Sequence, residues 1–163
     1  MLENGDLVYS HIGARRTNGE YHCKIGELKQ NLAKEGRIYD IDRFISDSKV
    51  LEMFFKSAEY ILLPYQNHYA SSGIMAQALS YGKPVLVPDT GLMAARVRDY
   101  NLGRIFKHLC YESFVSEFKI LRKEFGTYSR SIKEYYENTL TRSRIYEALD
   151  RMFNGQGLTT PFE

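Results

Sequence analysis

The stretch from Glu59 to Gly91 constrains the fold more than any other. It reads Glu59-Tyr-Ile-Leu-Leu-Pro-Tyr65, then a polar loop, then Ser71-Ser-Gly-Ile-Met-Ala-Gln-Ala-Leu-Ser-Tyr-Gly-Lys-Pro-Val-Leu-Val-Pro-Asp-Thr-Gly91. Two apolar runs of strand length flank a segment of helical periodicity, and Gly82-Lys-Pro breaks the helix before the second run. A strand, helix, strand unit of this kind closes by a right-handed crossover and makes its two strands parallel.

The rest of the chain repeats the alternation. Leu7 to Ile12 reads as a strand ending at Gly13, followed by a polar loop from Ala14 to Glu20. Ile25, Leu28 and Leu32 then share one helical face, with Gly36 as the stop, and Arg37 to Ile45 reads as a strand and its end. Ser46 or Asp47 suits the cap of the next helix, whose apolar face is Val50, Leu51, Phe54 and Phe55 and which ends near Ala58. Tyr60 to Leu63 and Pro84 to Val87 are the next strands, around a helix from Ser72 to Tyr81. Arg98 to Phe106 reads as a short connection with at most a minor strand. From Tyr111 the pattern is helical, first on Phe114, Val115, Phe118, Leu121 and Phe125, then after Gly126 on Ile132, Tyr136 and Leu140, then on Ile145, Leu149 and Met152. The expected fold is α/β, a Rossmann-like parallel sheet with helices on both faces. It forms a single domain over residues 1–157, followed by a loose tail at 158–163.

At 163 residues the chain is long enough to bury roughly two-thirds of its unfolded surface in one core. A formal charge of +2 lacks the footprint of a dedicated nucleic-acid binder, so no nucleic-acid partner is expected. Cys23 and Cys110 stand apart with no CxxC spacing, which argues against a disulfide framework or a zinc site and fits small buried thiols in a reducing, cytoplasmic setting. No apolar run reaches the ~18–20 residues of a membrane span.

In an open parallel sheet, ligands bind beyond the carboxyl ends of the strands. Ser71-Ser72-Gly73 follows a strand and opens a helix, so the amides of Gly73, Ile74 and Met75 lack intrahelical acceptors and, with the helix dipole, suit a phosphate. Ser followed by Gly is equally a routine helix start. Gln77, one turn on, has an amide able to donate to and accept from neighbouring hydroxyls such as those of a ribose, or simply to face solvent. Asp89-Thr90-Gly91 closes the next strand with a turn whose backbone could meet a sugar or phosphate. His11 and His68 lie at strand ends, Arg15 and Arg16 follow Gly13 where they could face a phosphate, and Arg43 and Phe44 close the second strand as candidates for a base. No Ser/His/Asp set, Walker-type loop or GxGxxG occurs, so no catalytic residue is assigned.

Residues 59–91 resemble the donor-binding half of GT-B fold, nucleotide-sugar-dependent glycosyltransferases, particularly the retaining group that includes sucrose and glycogen synthases. The matching positions are Leu63-Pro64, Ser71-Ser72-Gly73, Gln77, Gly82-Lys83-Pro84-Val85 and Asp89-Thr90-Gly91. In that family a Glu-x7-Glu motif spans the helix start, the first carboxylate contacting the sugar and the second the ribose. Here Tyr69 and Gln77 stand at those positions. The resemblance implies a C-terminal domain that binds an NDP-sugar through Tyr69, Ser71, Ser72, Gly73, Ile74, Thr90, Gly91 and Arg15, with Gln77 on the ribose. It implies a hexose transferred with retention, no metal or other cofactor, and a glycan or lipid-linked acceptor held by a second, N-terminal domain that could bring the chain to the inner membrane. A non-catalytic interaction domain on the same scaffold and a sugar-nucleotide epimerase of the same fold remain alternatives.

Overall fold

The computed structural model of the chain describes residues 9–12, 30–36, 38–41 and 45–153, in two compact units, Met1–Met53 and Phe54–Glu163. In the first unit, β1 (Tyr9–Ile12) and β2 (Ile38–Ile41) are parallel, with Tyr9 opposite Ile38 and Ile12 opposite Ile41. Residues 30–34 are helical (α1) and stop where expected: Gly36 takes a left-handed φ of +68° and donates to the Ala33 carbonyl at 3.0 Å. Helix α2 (Ser48–Ser57) is capped by Asp47, whose Oδ1 accepts from the Lys49 amide at 2.8 Å.

The second unit is built on a three-stranded parallel sheet in the order β3 (Ile61–Leu62), β4 (Val85–Pro88), β5 (Gly103–Phe106). Val85, Leu86, Val87 and Pro88 are all buried, which requires cover on both faces of the central strand. Pro88 has no amide to donate, and the Asp89 amide resumes the ladder one residue later by donating to the Phe106 carbonyl at 2.8 Å. The covering helices are α3 (Gly73–Ser80), α4 (Gly91–Tyr100) and α5 (Tyr111–Glu124). A 3-10 turn (Phe125–Tyr128), α6 (Ser129–Tyr135), a π-helical turn (Tyr136–Leu140) and α7 (Arg142–Phe153) follow. Fully buried Leu86, Met93, Leu102, Leu121 and Ile132 join sheet and helices in one core, and each such side chain contributes about 1.5–3 kcal/mol on burial. Phe106, Phe114 and Phe118 continue it as a row of ring contacts, 5.2 and 6.2 Å between centroids, that reaches Tyr60 at 5.4 Å.

The expected α/β class holds, with four corrections of detail. Residues 91–100 form a full helix, α4, which buries Met93, Ala94 and Val97 at i, i+1 and i+4. The run at 103–106 is a complete strand, not a minor one: Gly103, at φ +150°, lets β5 close onto β4, because a Cβ there would collide with the Val85 backbone. Beyond α5 the buried face is Tyr128, Ile132 and Tyr135, while Phe125 is exposed and Tyr136 half-buried. The 3-10 turn winds at three residues per turn and so shifts the phase of the apolar stripe. Cys110 is half-buried at the start of α5, its Sγ 3.5 Å from Glu112 Oε2, whereas Cys23 lies outside the described residues. No helix among the described residues is long and apolar enough to cross a membrane.

Candidate functional site

Because β3, β4 and β5 are parallel, the loops that follow them leave the sheet at one edge. Hydrogen bonds donated by backbone amides hold these loops. The Leu92 amide, at the start of α4, donates to the Tyr69 carbonyl in the β3–α3 loop at 3.0 Å. The Asp89 carboxylate accepts from the His108 amide in the β5–α5 loop at 2.8 Å, and Ser113 Oγ accepts from the Lys107 amide at 2.8 Å. Gly91 makes the first junction possible. It sits at φ +71°, and a Cβ would lie 2.6 Å from Tyr69 Cα and 2.9 Å from its carbonyl oxygen. Within the β3–α3 loop, the His68 ring packs edge-on to Tyr65 at 5.1 Å, with Nε2 3.3 Å from the Ser71 carbonyl.

The loop delivers the chain to α3 with Ser72 extended (φ −115°, ψ 126°) and buried, its Oγ accepting from the Met75 amide at 3.2 Å. This corrects the sequence reading in one respect, since the Met75 amide is taken up by the cap, and it makes Ser72 the routine N-cap that the sequence also allows. The amides of Gly73 and Ile74 have no acceptor among the described residues, and both residues are exposed. Two donors at the positive end of α3 therefore face outward at the carboxyl edge of the sheet. Ser71 is exposed beside them, and Gln77 is exposed one turn along the helix.

Tyr69 is divided between two roles, its backbone packed against Gly91 and its side chain 67% exposed. Thr90 is half-buried and extended (φ −121°, ψ 147°), and its hydroxyl makes no cap bond to α4. The structure thus gathers Tyr69, Ser71, Ser72, Gly73, Ile74, Thr90 and Gly91 onto adjoining loops. Arg15, Arg16, Arg43 and Phe44 lie outside the described residues, and of His11 only the backbone in β1 is described. Lys83 belongs to the opposite edge, where its Nζ donates to the Lys56 carbonyl at 3.1 Å and closes the last turn of α2. Asp89 and Leu92, which lock the loops, were not singled out as such from sequence. The position of an Asp directly after a buried strand was the available sign.

No protein-family model matches the sequence, and no curated protein matches it. Solved structures do share its fold. Sucrose-phosphate synthase from Thermosynechococcus elongatus superposes with a TM-score of 0.70 at 15% identity, over 95% of this chain and 39% of that one. WaaG, a glycosyltransferase involved in lipopolysaccharide biosynthesis, gives 0.62 at 17% identity, over 88% of this chain and 37% of that one. The lipopolysaccharide outer core galactosyltransferase WaaB, in its apo form, gives 0.60 at 13% identity, over 96% and 51%. The chain therefore spans 37–51% of the length of these neighbours and has the fold of one domain of these GT-B structures.

Proposed function

We propose that the chain is the nucleotide-sugar donor-binding domain of a retaining GT-B glycosyltransferase, which transfers a hexose from an NDP-sugar to a glycan or lipid-linked acceptor carried by a second domain. The observation that carries this reading is the pair of outward-facing amides of Gly73 and Ile74, at the carboxyl edge of a sheet whose fold is shared with three glycosyltransferases. Backbone amides at a helix start are rigid, and they stabilise the charge that grows on a departing diphosphate without moving during the reaction. In this reading Ser71 and Thr90 add hydroxyls, Gln77 holds the ribose, and Tyr69 meets the sugar through its exposed ring and hydroxyl. Arg15 would neutralise the diphosphate, Arg43 and Phe44 would contact the base, and no metal is called for.

Gly73→Pro tests the assignment cleanly. Proline suits the first helical position, the extended Ser72 tolerates a following proline, and nothing lies within 4 Å of a Cβ at residue 73. The variant should fold normally and lose one charge-assisted donor, weakening calorimetric binding of UDP, GDP or their sugar conjugates by about tenfold. Unchanged affinity would remove the site from α3, and no heat from any of these nucleotides at ~1 mM would refute nucleotide binding. The chain alone should show no sugar transfer. A non-catalytic relative of the same fold is favoured by one observation, that Tyr69 and Gln77 stand where the resemblance calls for carboxylates.

A further inference from the structure

Helix α4 starts at the carboxyl edge of the sheet and runs back, so Tyr100 and Asn101 lie at the opposite edge, where β5 begins at Gly103. There α4, α6 and the π-helical turn enclose an open groove of about 350 Å³. Its walls are clasped together by Ser131 Oγ, which donates to the Asn101 carbonyl at 2.7 Å, and by the Tyr100 and Tyr135 rings, 4.7 Å apart and tilted by 52°.

The chemistry of the lining is selective. Asp99 and Glu134 supply carboxylates, Asn138 an amide and Thr139 a hydroxyl, while no lysine or arginine lines the groove. A phosphate or carboxylate ligand would therefore meet like charge. Nor is the groove a trap for cations, because Glu134 is paired with Arg130 at 3.0 Å and the positive charge of Arg96 reaches Tyr135. Asp99, Asn138 and Thr139 have no side-chain hydrogen bond or ion pair among the described residues, so their polar groups are free to bind a ligand.

The two tyrosines add an apolar surface. Tyr100 is 48% exposed and presents ring area to the groove. Tyr135 also lines the groove and is almost wholly buried, yet no buried side-chain polar atom among the described residues lacks a partner, so its hydroxyl is not sealed away unsatisfied. Burial pushes that hydroxyl's pKa up, further from neutrality, so it is a protonated donor as an ordinary tyrosine is. Carboxylate, amide and hydroxyl groups beside an exposed ring match a ligand with vicinal hydroxyls on one side and an apolar C–H face on the other.

We propose that this groove is a second carbohydrate-binding site, specific for an uncharged oligosaccharide and separate from the nucleotide site at the carboxyl edge. Asp99 and Asn138 grip adjacent hydroxyls, and a sugar ring stacks on Tyr100. Glu134 and Thr139 contact the next residue of the ligand. The site stands whether or not the chain belongs to a glycosyltransferase, since none of its residues is shared with the α3 corner.

The experiment is a titration of the isotope-labelled full chain with maltose, cellobiose, lactose and N,N'-diacetylchitobiose, followed by amide chemical shifts, with UDP titrated in parallel. At least one disaccharide should move the amides of residues 99–101 and 131–139 saturably. Asp99→Ala and Asn138→Ala, both at exposed positions without side-chain hydrogen bonds to lose, should each weaken that response by about five- to tenfold. Their response to UDP should match that of the parent chain. No saturable shift in the groove by ~50 mM with any of the four would overturn the proposal. So would a response undiminished in the double variant, or one confined to residues 68–74 and 89–92. A missing UDP response beside an intact disaccharide response would instead count against the nucleotide site alone.

Discussion

The β3–α3 and β4–α4 corners are built from nearly the same parts and do different things. Each places a small hydroxyl residue in an extended conformation ahead of a helix, Ser72 at φ −115° and Thr90 at φ −121°. Ser72 turns its hydroxyl back onto the Met75 amide, and the two amides before Met75 remain open. Thr90 caps nothing, and the Leu92 amide of α4 is spent on the Tyr69 carbonyl of the other corner. A helix start offers four unpaired amides. The α4 corner uses one of them as a clamp, which ties down the loop that leads into α3, while at the α3 corner the Gly73 and Ile74 amides have no acceptor among the described residues.

Removing the clamp should have the largest effect. Gly91→Ala forces a side chain into φ +71° and places its Cβ 2.6 Å from Tyr69 Cα, a contact with backbone that cannot rotate away. Left-handed strain and overpacking together should destabilise the chain by about 2–4 kcal/mol, measured by urea unfolding. Nucleotide binding should fall as well, because the β3–α3 loop loses its anchor. A loss below ~0.5 kcal/mol would show that the clamp is slack and that the two corners are independent.

The cap comes next. Ser72→Ala leaves the Met75 amide without its acceptor and should cost about 1 kcal/mol, whereas Thr90→Val, which breaks no cap bond, should stay within about 0.5 kcal/mol. Paired unfolding curves decide the matter. Equal losses would mean that the corners do not differ as their hydrogen bonds indicate.

Much of the α3 corner was legible in the sequence, and most of the clamp was not. Helix starts leave local marks: Ser72 before Gly73, and the Met75, Ala78, Leu79 stripe, lie within one turn or two of each other. The clamp joins Tyr69 to Leu92 and Asp89 to His108, pairs far apart in sequence; the first uses backbone atoms alone and the second meets the Asp89 carboxylate with a backbone amide that every non-proline residue carries. Helix α4 is hard to read from sequence because Gly91 opens it and Arg96, Arg98 and Asp99 crowd a narrow apolar stripe, leaving only Met93, Ala94 and Val97 to announce it. The same limit applied to Tyr135, whose burial depends on a 3-10 turn that a uniform helical period does not anticipate. Local sequence marks where α3 starts, whereas packing decides which of its first amides stay open.

Lys83 gives the smallest expected effect and the sharpest control. Within Gly82-Lys83-Pro84 it lies close in sequence to the site, yet it enters β4 at the amino edge and its Nζ donates to the Lys56 carbonyl at the end of α2. A cation there meets the negative end of the helix dipole and the Lys56 carbonyl, in an exposed setting. Lys83→Met keeps most of the side chain's apolar length and should cost only about 0.3–1 kcal/mol. Its affinity for UDP or GDP should equal that of the parent chain, because the charge lies at the far end of the strand from Gly73 and Ile74. Loss of nucleotide binding with stability unchanged would place Lys83 on the ligand. The division of the sheet into a ligand edge and a structural edge would then fail at this residue.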